Sequence, residues 1–212
     1  MNENCWYKEV CTRPTCDACI RFIEMSYLMD NSGIPKKRQM PTLLNAGDDR
    51  QAFIHLADIK DNIQSFVEDG ENLYICSDNT GNGKTSWAIK LMLKYFDCIW
   101  AGNGLRIRGY FLHVPSFLAL TKDFDSKELV RVKKIISDTD LIIWDDIASS
   151  KLSDFDINQL LIFIDNRKLH QLSNIYTGNI TAYSNLVECV GNRLASRIWQ
   201  SDKVTFYGKD RR

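Results

Sequence analysis

The sequence lacks an excess of charge of either sign, and it lacks an apolar run long enough to cross a bilayer. Lys and Arg together number 27, and Asp and Glu together also number 27. No overall field therefore draws the chain toward nucleic acid or membrane, and any basic surface has to be local. The amino terminus also lacks the basic and apolar regions of a signal peptide. We therefore expect a cytoplasmic protein that does not contact a membrane.

Histidine is scarce, and no repeat or low-complexity tract is present. The three histidines, His55, His113 and His170, are scattered along the chain. They indicate neither a histidine metal site nor a catalytic triad. With 212 residues, of which 44% are hydrophobic, the chain has room for one α/β domain and a small appendage.

A glycine-containing loop between a predicted strand and a predicted helix is the most informative segment. The apolar run in residues 72–76 is followed by Asp78-Asn-Thr-Gly-Asn-Gly-Lys-Thr85 and by a helical pattern that extends to Phe96. In a phosphate-binding loop the backbone N–H groups surround the phosphates, Lys84 contacts the β- and γ-phosphates, and the Thr85 hydroxyl binds Mg²⁺. The pattern predicts a nucleotide site formed by Asn79, Thr80, Gly81, Asn82, Gly83, Lys84, Thr85 and Ser86.

Asp78 departs from this loop pattern, which has glycine at that position. A carboxylate at the mouth of a phosphate site is expected to repel nucleotide. The start of the loop nevertheless tolerates other residues better than its apex, because the chain is more extended there. The alternative interpretation is a glycine-rich turn that precedes Lys-Thr by chance.

A second short apolar run, in residues 140–146, ends in two acids. In an α/β sheet such a strand brings carboxylates to the carboxyl edge, beside the phosphates. We expect Asp145 to hold Mg²⁺, directly or through water, and Asp146 to polarise the attacking water. The alternative, a strand that ends in two solvated acids at a turn, is disfavoured by the phosphate-binding loop upstream.

Four of the seven cysteines crowd the start of the chain with the spacing C-x5-C-x4-C-x2-C. A short Cys-x2-Cys pair is common in tetrahedral zinc sites, and a bound ion would allow a segment without a core to fold. The spacing predicts a structural Zn²⁺, with free thiols or an iron–sulfur cluster as alternatives. The predicted ligands are Cys5, Cys11, Cys16 and Cys19.

The chain divides into three parts. Residues 1–30 contain the four clustered cysteines of the predicted zinc module and a short helix, residues 31–48 are predicted to be a linker, and residues 49–212 are predicted to form the nucleotide-binding domain. Apolar spacing predicts a helix over residues 49–69, and Ser153 with Asp156 predicts the start of another. Helical or loop segments separate the strand candidates, which indicates a parallel sheet. The five candidates are residues 72–77, 109–114, 140–145, 174–178 and 203–207.

The order of these signals, together with three later motifs, resembles the DnaC/DnaI-type helicase loaders, to which the IstB ATPases are related. The three motifs are Tyr176-Thr-Gly-Asn179, Gly191-Asn-Arg-Leu-Ala-Ser-Arg-Ile198 and the terminal Gly208-Lys-Asp-Arg-Arg212. The resemblance covers roughly residues 50–212. It implies an α/β AAA+ P-loop NTPase core, with a five-stranded parallel sheet flanked by helices, and ATP as the nucleotide. A short amino-terminal region would suit a phage-encoded or mobile-element version of such a loader.

The resemblance also implies roles for individual residues. Asn179 matches the sensor 1 position, where an amide contacts the γ-phosphate or the lytic water. Arg197 matches the arginine finger that one subunit donates to its neighbour's nucleotide, and Arg193 lies one helical turn before it. Arg212 matches a sensor 2-like arginine that contacts the nucleotide, with Arg211 as a substitute. A homo-oligomer is therefore expected, with slow ATP hydrolysis unless the protein assembles with itself, DNA or a partner.

Loaders of this family place a ring-shaped, DnaB-type replicative helicase on single-stranded DNA. Basic residues precede the second strand, at Arg106 and Arg108, and others follow it. We expect the second group to bind DNA phosphates, with Phe117 or Phe124 stacking on bases. This predicted group consists of Lys122, Lys127, Arg131, Lys133 and Lys134. An ordinary amphipathic helix with a solvated lysine face explains the same pattern equally well.

The sequence thus favours an ATP-dependent helicase loader in replication initiation, in which ATP hydrolysis acts as a switch. Two alternatives stay open. One is an IstB-like ATPase that regulates a transposase on duplex DNA, and the other is a nucleotide-responsive adaptor that does not hydrolyse ATP.

Overall fold

A sheet of five parallel strands forms the centre of the structure, which is a computed structural model. It describes residues 5, 9, 11–12, 19–39, 44–101, 104–123 and 125–208. The strand order is β2-β3-β4-β1-β5, and every neighbouring pair is parallel. The strands are β1 (Asn72–Cys76), β2 (Gly109–His113), β3 (Leu141–Asp145), β4 (Ser173–Gly178) and β5 (Asp202–Thr205).

Helices cover both faces of this sheet. The apolar side chains of β1 to β4 alternate between two hydrophobic clusters, as a period of two requires. Helices α1 to α4 contribute to one cluster and helices α5 to α8 to the other. The helices are α1 (Ile20–Asp30), α2 (Arg50–Asp61), α3 (Ile63–Glu68), α4 (Lys84–Ile99), α5 (Val114–Leu120), α6 (Lys127–Asp138), α7 (Asp154–Leu169) and α8 (Tyr183–Trp199), with a 3-10 turn at Lys36–Arg38.

The predicted α/β fold with a five-stranded parallel sheet is confirmed. Each strand lies within two residues of its predicted bounds. Ser153 begins α7 as predicted, because its Oγ accepts a hydrogen bond from the Asp156 N–H at 3.2 Å. The helix expected over residues 49–69 is broken into α2 and α3 at Asn62, whose Nδ2 donates to the Asp58 carbonyl at 3.0 Å. A side chain that competes for a helix carbonyl favours such an end.

Arg167 of α7 is fully buried and closes the amino-terminal edge of the sheet. Its Nε donates to the Asn174 Oδ1 at 2.7 Å, while its terminal nitrogens donate to four backbone carbonyls. Burial lowers the pKa of Arg167 to about 9, so the side chain is still a cation at neutral pH. A buried cation of this kind persists because every donor is satisfied. The four carbonyls belong to Ile136, Thr139, Asp140 and Ser173.

Helix α8 is interrupted at Gly191. The backbone there has φ 73° and ψ 156°, a combination that is accessible almost only to glycine. The break frees a carbonyl in the preceding turn, and the Leu152 N–H donates to the Cys189 carbonyl at 2.8 Å. The loop that follows β3 is thus bonded to the first half of α8, whereas Arg193 and Arg197 lie on the second half.

Some predicted features fall outside the described residues, namely Cys16, Phe124, Arg211 and Arg212. Within the described part of the chain, which includes Cys5, Cys11 and Cys19, no three His, Cys, Asp or Glu side chains lie close enough to hold a metal ion. The zinc module therefore stays a prediction. Among the described helices, none has both the length and the apolar character that a membrane crossing requires.

Candidate nucleotide site

Three strand ends meet at the carboxyl edge of the sheet and form the candidate site. Strand β4 lies between β1 and β3. The glycine-containing loop follows β1, the two acids close β3, and Asn179 follows β4. The parallel order thus places side chains that are about 60 to 100 residues apart in sequence at one edge.

The loop between β1 and α4 has the form of a phosphate-binding loop. Gly83, immediately before α4, has φ 100°, and a Cβ added there would meet no atom within 4 Å. The space above Gly83 is therefore open to a ligand, and the backbone conformation favours glycine. Thr80 is exposed at the tip of the loop, and Ser86 lies in the first turn of α4, where helix N–H groups favour an anion.

Lys84 is held inside this loop and is only 8% exposed. Its Nζ donates to the Asn79 carbonyl at 2.8 Å and to the Asn82 Oδ1 at 3.2 Å. The Asn82 Nδ2 in turn donates to the Ser77 Oγ. The ammonium group is thus fixed at the centre of the loop, where a phosphate oxygen would find both a cation and backbone N–H donors.

The departure from the loop pattern at Asp78 has a structural role. One carboxylate oxygen accepts from the Thr181 N–H at 3.2 Å, and the other accepts from the Thr181 hydroxyl at 2.7 Å. Both oxygens of Asp78 are therefore engaged by the segment that follows β4. This contact joins the start of the loop to the segment that follows β4, while the effect of the Asp78 charge on nucleotide binding stays a prediction.

Asp145 and Thr85 form a pair that fits Mg²⁺. The Thr85 Oγ1 donates to the Asp145 Oδ1 at 2.8 Å. The Asp145 Oδ2 accepts no hydrogen bond from the described residues and is available to a cation. Hydroxyl and carboxylate oxygens are the ligands that Mg²⁺ prefers. A Mg²⁺ ion that also contacts a nucleotide phosphate would therefore be held by Thr85 and Asp145.

Asp146 adopts the left-handed conformation, with φ 62°. Its backbone N–H donates to the Thr177 Oγ1 at 3.0 Å, and the Asn179 Nδ2 donates to its Oδ1 at 3.3 Å. Burial and the neighbouring Asp145 raise the pKa of Asp146, while His113 and Lys84 act in the opposite direction. The structure thus brings the predicted base and the predicted sensor together.

Thr177 is a site residue that the sequence analysis missed. It lies on β4, is 2% exposed, and its Oγ1 donates to the Asp145 Oδ1 at 2.8 Å. A hydroxyl-bearing residue directly after the apolar pair Ile175-Tyr176, two positions before Asn179, was the available signal. The strand pattern alone does not say which of its side chains face the acids.

The loop is also tied to the last described residues. The Asn79 Nδ2 donates to the carbonyls of Tyr207 and Gly208 at 3.2 and 3.3 Å. The N–H groups of these two residues donate to the buried carboxylate of Asp49, which precedes α2. The carboxyl-terminal segment, which continues toward Arg212, therefore starts beside the loop.

Arg197 lies far from this site. It lines a cavity of about 220 Å³ together with Asn72 and Asn174, which are at the amino-terminal ends of β1 and β4. Its Nε donates to the Asp165 Oδ1 at 2.7 Å, and the Arg193 guanidinium lies 3.9 Å from the Asp165 Oδ2. A strand of five residues spans about 16 Å, so Arg197 cannot contact the loop of its own chain.

The predicted DNA-binding residues separate into two places. Lys127, Arg131 and Lys134 lie on the exposed face of α6, and Arg131 and Lys134 line a cavity of about 540 Å³ with Arg106. Lys133 lies half-buried on the flank of the same helix. Lys122 instead lines a different cavity, of about 200 Å³, which is also lined by Asp146.

Phe117 was expected to stack on bases, and this expectation is wrong. Phe117 is 2% exposed and packs edge-on against Phe163, with ring centroids 5.9 Å apart. Helix α5, which was not predicted, turns this side chain into the core. Phe117 is therefore a core residue, and its position between basic residues in the sequence does not indicate base recognition.

Comparison by sequence finds no relative. No protein-family model matches the chain, and no curated protein matches it.

Comparison by structure finds similar folds. The structure of DnaI is 15% identical with a TM-score of 0.66, and the match covers 82% of this chain and 95% of that one. The DnaC helicase loader is 19% identical with a TM-score of 0.64, covering 85% of this chain and 98% of that one. The replication initiator DnaA bound to AMPPCP and single-stranded DNA is 14% identical with a TM-score of 0.58, covering 74% and 46%.

The likeness is one of fold, because the identities are low. It agrees with the order of motifs in the sequence and with the geometry of the loop, the acid pair and Asn179. The chain therefore has the same fold as DnaI and the DnaC helicase loader.

Proposed function

We propose that this protein is an ATP-dependent loader of a hexameric, DnaB-type replicative helicase onto single-stranded DNA, with ATP hydrolysis as a switch. The observation that carries the proposal is the assembly of Lys84, Thr85, Asp145, Asp146 and Asn179 at one edge of the sheet. The structural matches to DnaC and DnaI cover 98% and 95% of those chains. This near-complete match supports the loader role over other AAA+ roles.

The side chains of the site have complementary roles in hydrolysis. Lys84 binds the β- and γ-phosphates, and Asp146 orients and polarises the attacking water. Asn179, which donates to Asp146 at 3.3 Å, holds this carboxylate and can contact the γ-phosphate. A Mg²⁺ ion bound to Thr85 and Asp145 would supply charge stabilisation for the phosphoryl group.

Completion of the site requires a second copy of the chain. Arg197 lies at the opposite edge of the sheet from its own loop, and its two terminal nitrogens donate no hydrogen bond within the described residues. A guanidinium in this place cannot contact the nucleotide of its own chain and is placed to contact the nucleotide of another subunit. We therefore assign Arg197 as the arginine finger, with Asp165 as the residue that orients it, and expect slow hydrolysis by the monomer.

The basic groove between α6 and the segment before β2 is the candidate path for DNA. The cavity that Arg106, Arg131 and Lys134 line contains one acidic side chain, Asp138. Three cations on one concave surface favour a phosphate backbone. Lys127 continues this face along α6.

The competing hypotheses have less support. Asp78 was the reason to consider an adaptor that does not hydrolyse ATP, but its carboxylate is bonded to Thr181. An IstB-like role differs in its preference for duplex DNA, which the experiment below separates. The zinc module rests on cysteine spacing alone, and the loader proposal does not depend on it.

The first test removes the cation from the loop. Lys84→Ala should abolish ATP binding, measured by calorimetry, because the phosphates lose the buried cation at the centre of the loop. The same variant should fail to retain the host's replicative helicase on circular single-stranded DNA in the presence of ATP. Lys94→Ala, on the same helix, is the control and should behave as the wild type.

Two results would count against the proposal. Well-folded wild-type protein that binds neither ATP nor ADP contradicts the nucleotide site itself. Protein that binds ATP but retains the helicase under no condition, and prefers duplex DNA, supports the IstB-like alternative.

The second test concerns Asp146. Asp146→Asn should bind ATP and lose hydrolysis, because an amide does not polarise water. Since the pKa of Asp146 is raised above 3.8, its ionisation lowers the stability of the folded state as the pH rises through the raised pKa. In metal-free buffer, Asp146→Asn should therefore unfold at a higher temperature than wild type at pH 7, with the difference shrinking toward about pH 4. Asp123→Asn, in an exposed loop, should show no such difference.

The third test separates a finger from a structural ion pair. Arg197→Ala should keep the ATP affinity of the monomer but lose assembly-dependent hydrolysis by about 10³-fold or more. Asp165→Asn removes the same ion pair and keeps the guanidinium, so its hydrolysis should fall only a few-fold, on the scale of a surface ion pair. Equal losses in the two variants, or unchanged turnover in Arg197→Ala, would rule out the finger assignment.

The fourth test concerns the groove. Combined replacement of Arg106, Arg131 and Lys134 by alanine should weaken binding to single-stranded DNA and lower the slope of log affinity against log salt by about 2. Lys94→Ala, on the other face of the sheet, should leave both quantities unchanged. Wild-type binding by the triple variant would leave α6 as an ordinary helix with a solvated basic face.

A further inference from the structure

We propose that Thr177 is the positioning residue of the acid pair, and that its hydroxyl sets both the Mg²⁺ ligand and the conformation of the base. This role rests on the proposed ATP hydrolysis. It assigns a function to a residue of β4 that is only 2% exposed.

Thr177 is bonded to three consecutive residues at the end of β3. Its Oγ1 donates to the Asp145 Oδ1 at 2.8 Å and accepts from the Asp146 N–H at 3.0 Å. Its backbone carbonyl accepts from the Ile147 N–H at 3.0 Å. The chain on which the two acids lie is therefore fixed to β4 through one residue.

The bond to the Asp146 N–H has a specific effect on the backbone. Asp146 has φ 62°, a conformation that an L-residue adopts at a cost and keeps only where its surroundings hold it. The hydroxyl of Thr177, on β4, and the amide of Asn179, directly after β4, both contact Asp146. Without the hydroxyl, the N–H would be left without its acceptor and the backbone would relax toward an ordinary conformation.

The bond to Asp145 has a second effect. Thr85 and Thr177 both donate to the Oδ1 of this carboxylate, each at 2.8 Å. Two donors on one oxygen fix the rotation of the carboxylate and leave the other oxygen, Oδ2, for a cation. Thr177 would keep this orientation if the Thr85 hydroxyl oxygen bound Mg²⁺.

Only a hydroxyl performs both tasks at this position. It donates through its hydrogen and accepts through its lone pairs at the same time. Valine has the same shape but neither function, whereas serine keeps both functions and loses a methyl group. This gives a matched pair of variants in which the hydroxyl is the variable.

The experiment compares wild type, Thr177→Val and Thr177→Ser. Thr177→Val should bind ATP in EDTA within about threefold of wild type, because the loop is intact, and should lose about 10- to 100-fold in kcat. Its half-maximal activity should require more Mg²⁺. Thr177→Ser should recover kcat and the Mg²⁺ dependence to within about threefold, even if the lost methyl group lowers its unfolding temperature.

The outcomes are distinct. A Thr177→Val protein with a lower unfolding temperature but wild-type kcat and Mg²⁺ dependence overturns the positioning role and leaves the proposed function intact. Loss of kcat in Thr177→Ser equal to that in Thr177→Val also overturns it. A wild-type protein that binds but never hydrolyses ATP contradicts the proposed hydrolysis, and this role with it.

Amide hydrogen exchange in the free wild-type protein provides a test that needs no variant. The Asp146 N–H should exchange slowly for a residue that follows a strand, because it donates to a buried hydroxyl. Exchange at the rate of an open loop would contradict the bond on which the proposal rests. Thr177→Ala, which leaves room for a water molecule, replaces Thr177→Val should the valine variant not fold.

Discussion

The position of β4 between β1 and β3 is the constraint on which the site depends. Adjacent strands lie about 4.8 Å apart, so one intervening strand separates the phosphate-binding loop from the acid pair by a distance that two side chains can bridge. Thr85 and Asp145 meet across the end of β4, where Thr177 of that strand bonds to Asp145 and Asn179, directly after the strand, bonds to Asp146. A sheet with β1 directly beside β3 would leave no place for either residue between them.

The two edges of the sheet have different chemistry. At the carboxyl edge, the polar groups bond to one another around an open site, and a ligand would replace some of these bonds. At the amino-terminal edge, the buried Arg167 binds four carbonyls and Asn174, and no donor is left over. The hydrogen bonds of Arg167 thus fix the amino-terminal ends of β3 and β4. The strained and charged residues lie at the opposite, carboxyl ends of these strands.

The parts of the molecule that follow from local pattern could be predicted from sequence. The strands, the loop at Lys84 and the acids at the end of β3 each show their own spacing and composition, and the order of motifs added the fold. Contacts between distant segments could not be predicted. The bonds of Asp78 to Thr181, the bonds of Thr177 to the acids and the approach of Arg106 to α6 depend on the three-dimensional path of the chain.

The interruption of α8 at Gly191 divides that helix into two segments that contact different parts of the structure. In the first segment, the Cys189 carbonyl accepts a hydrogen bond from the loop that follows the acid pair. The second segment contains Arg193 and Arg197. Hydrogen bonds along a continuous helix would couple the two halves so that they move as one rigid body. Because the break at Gly191 removes this coupling, a neighbouring subunit that binds Arg197, as the proposed function requires, would displace the second half of α8 with little effect on the loop after Asp146.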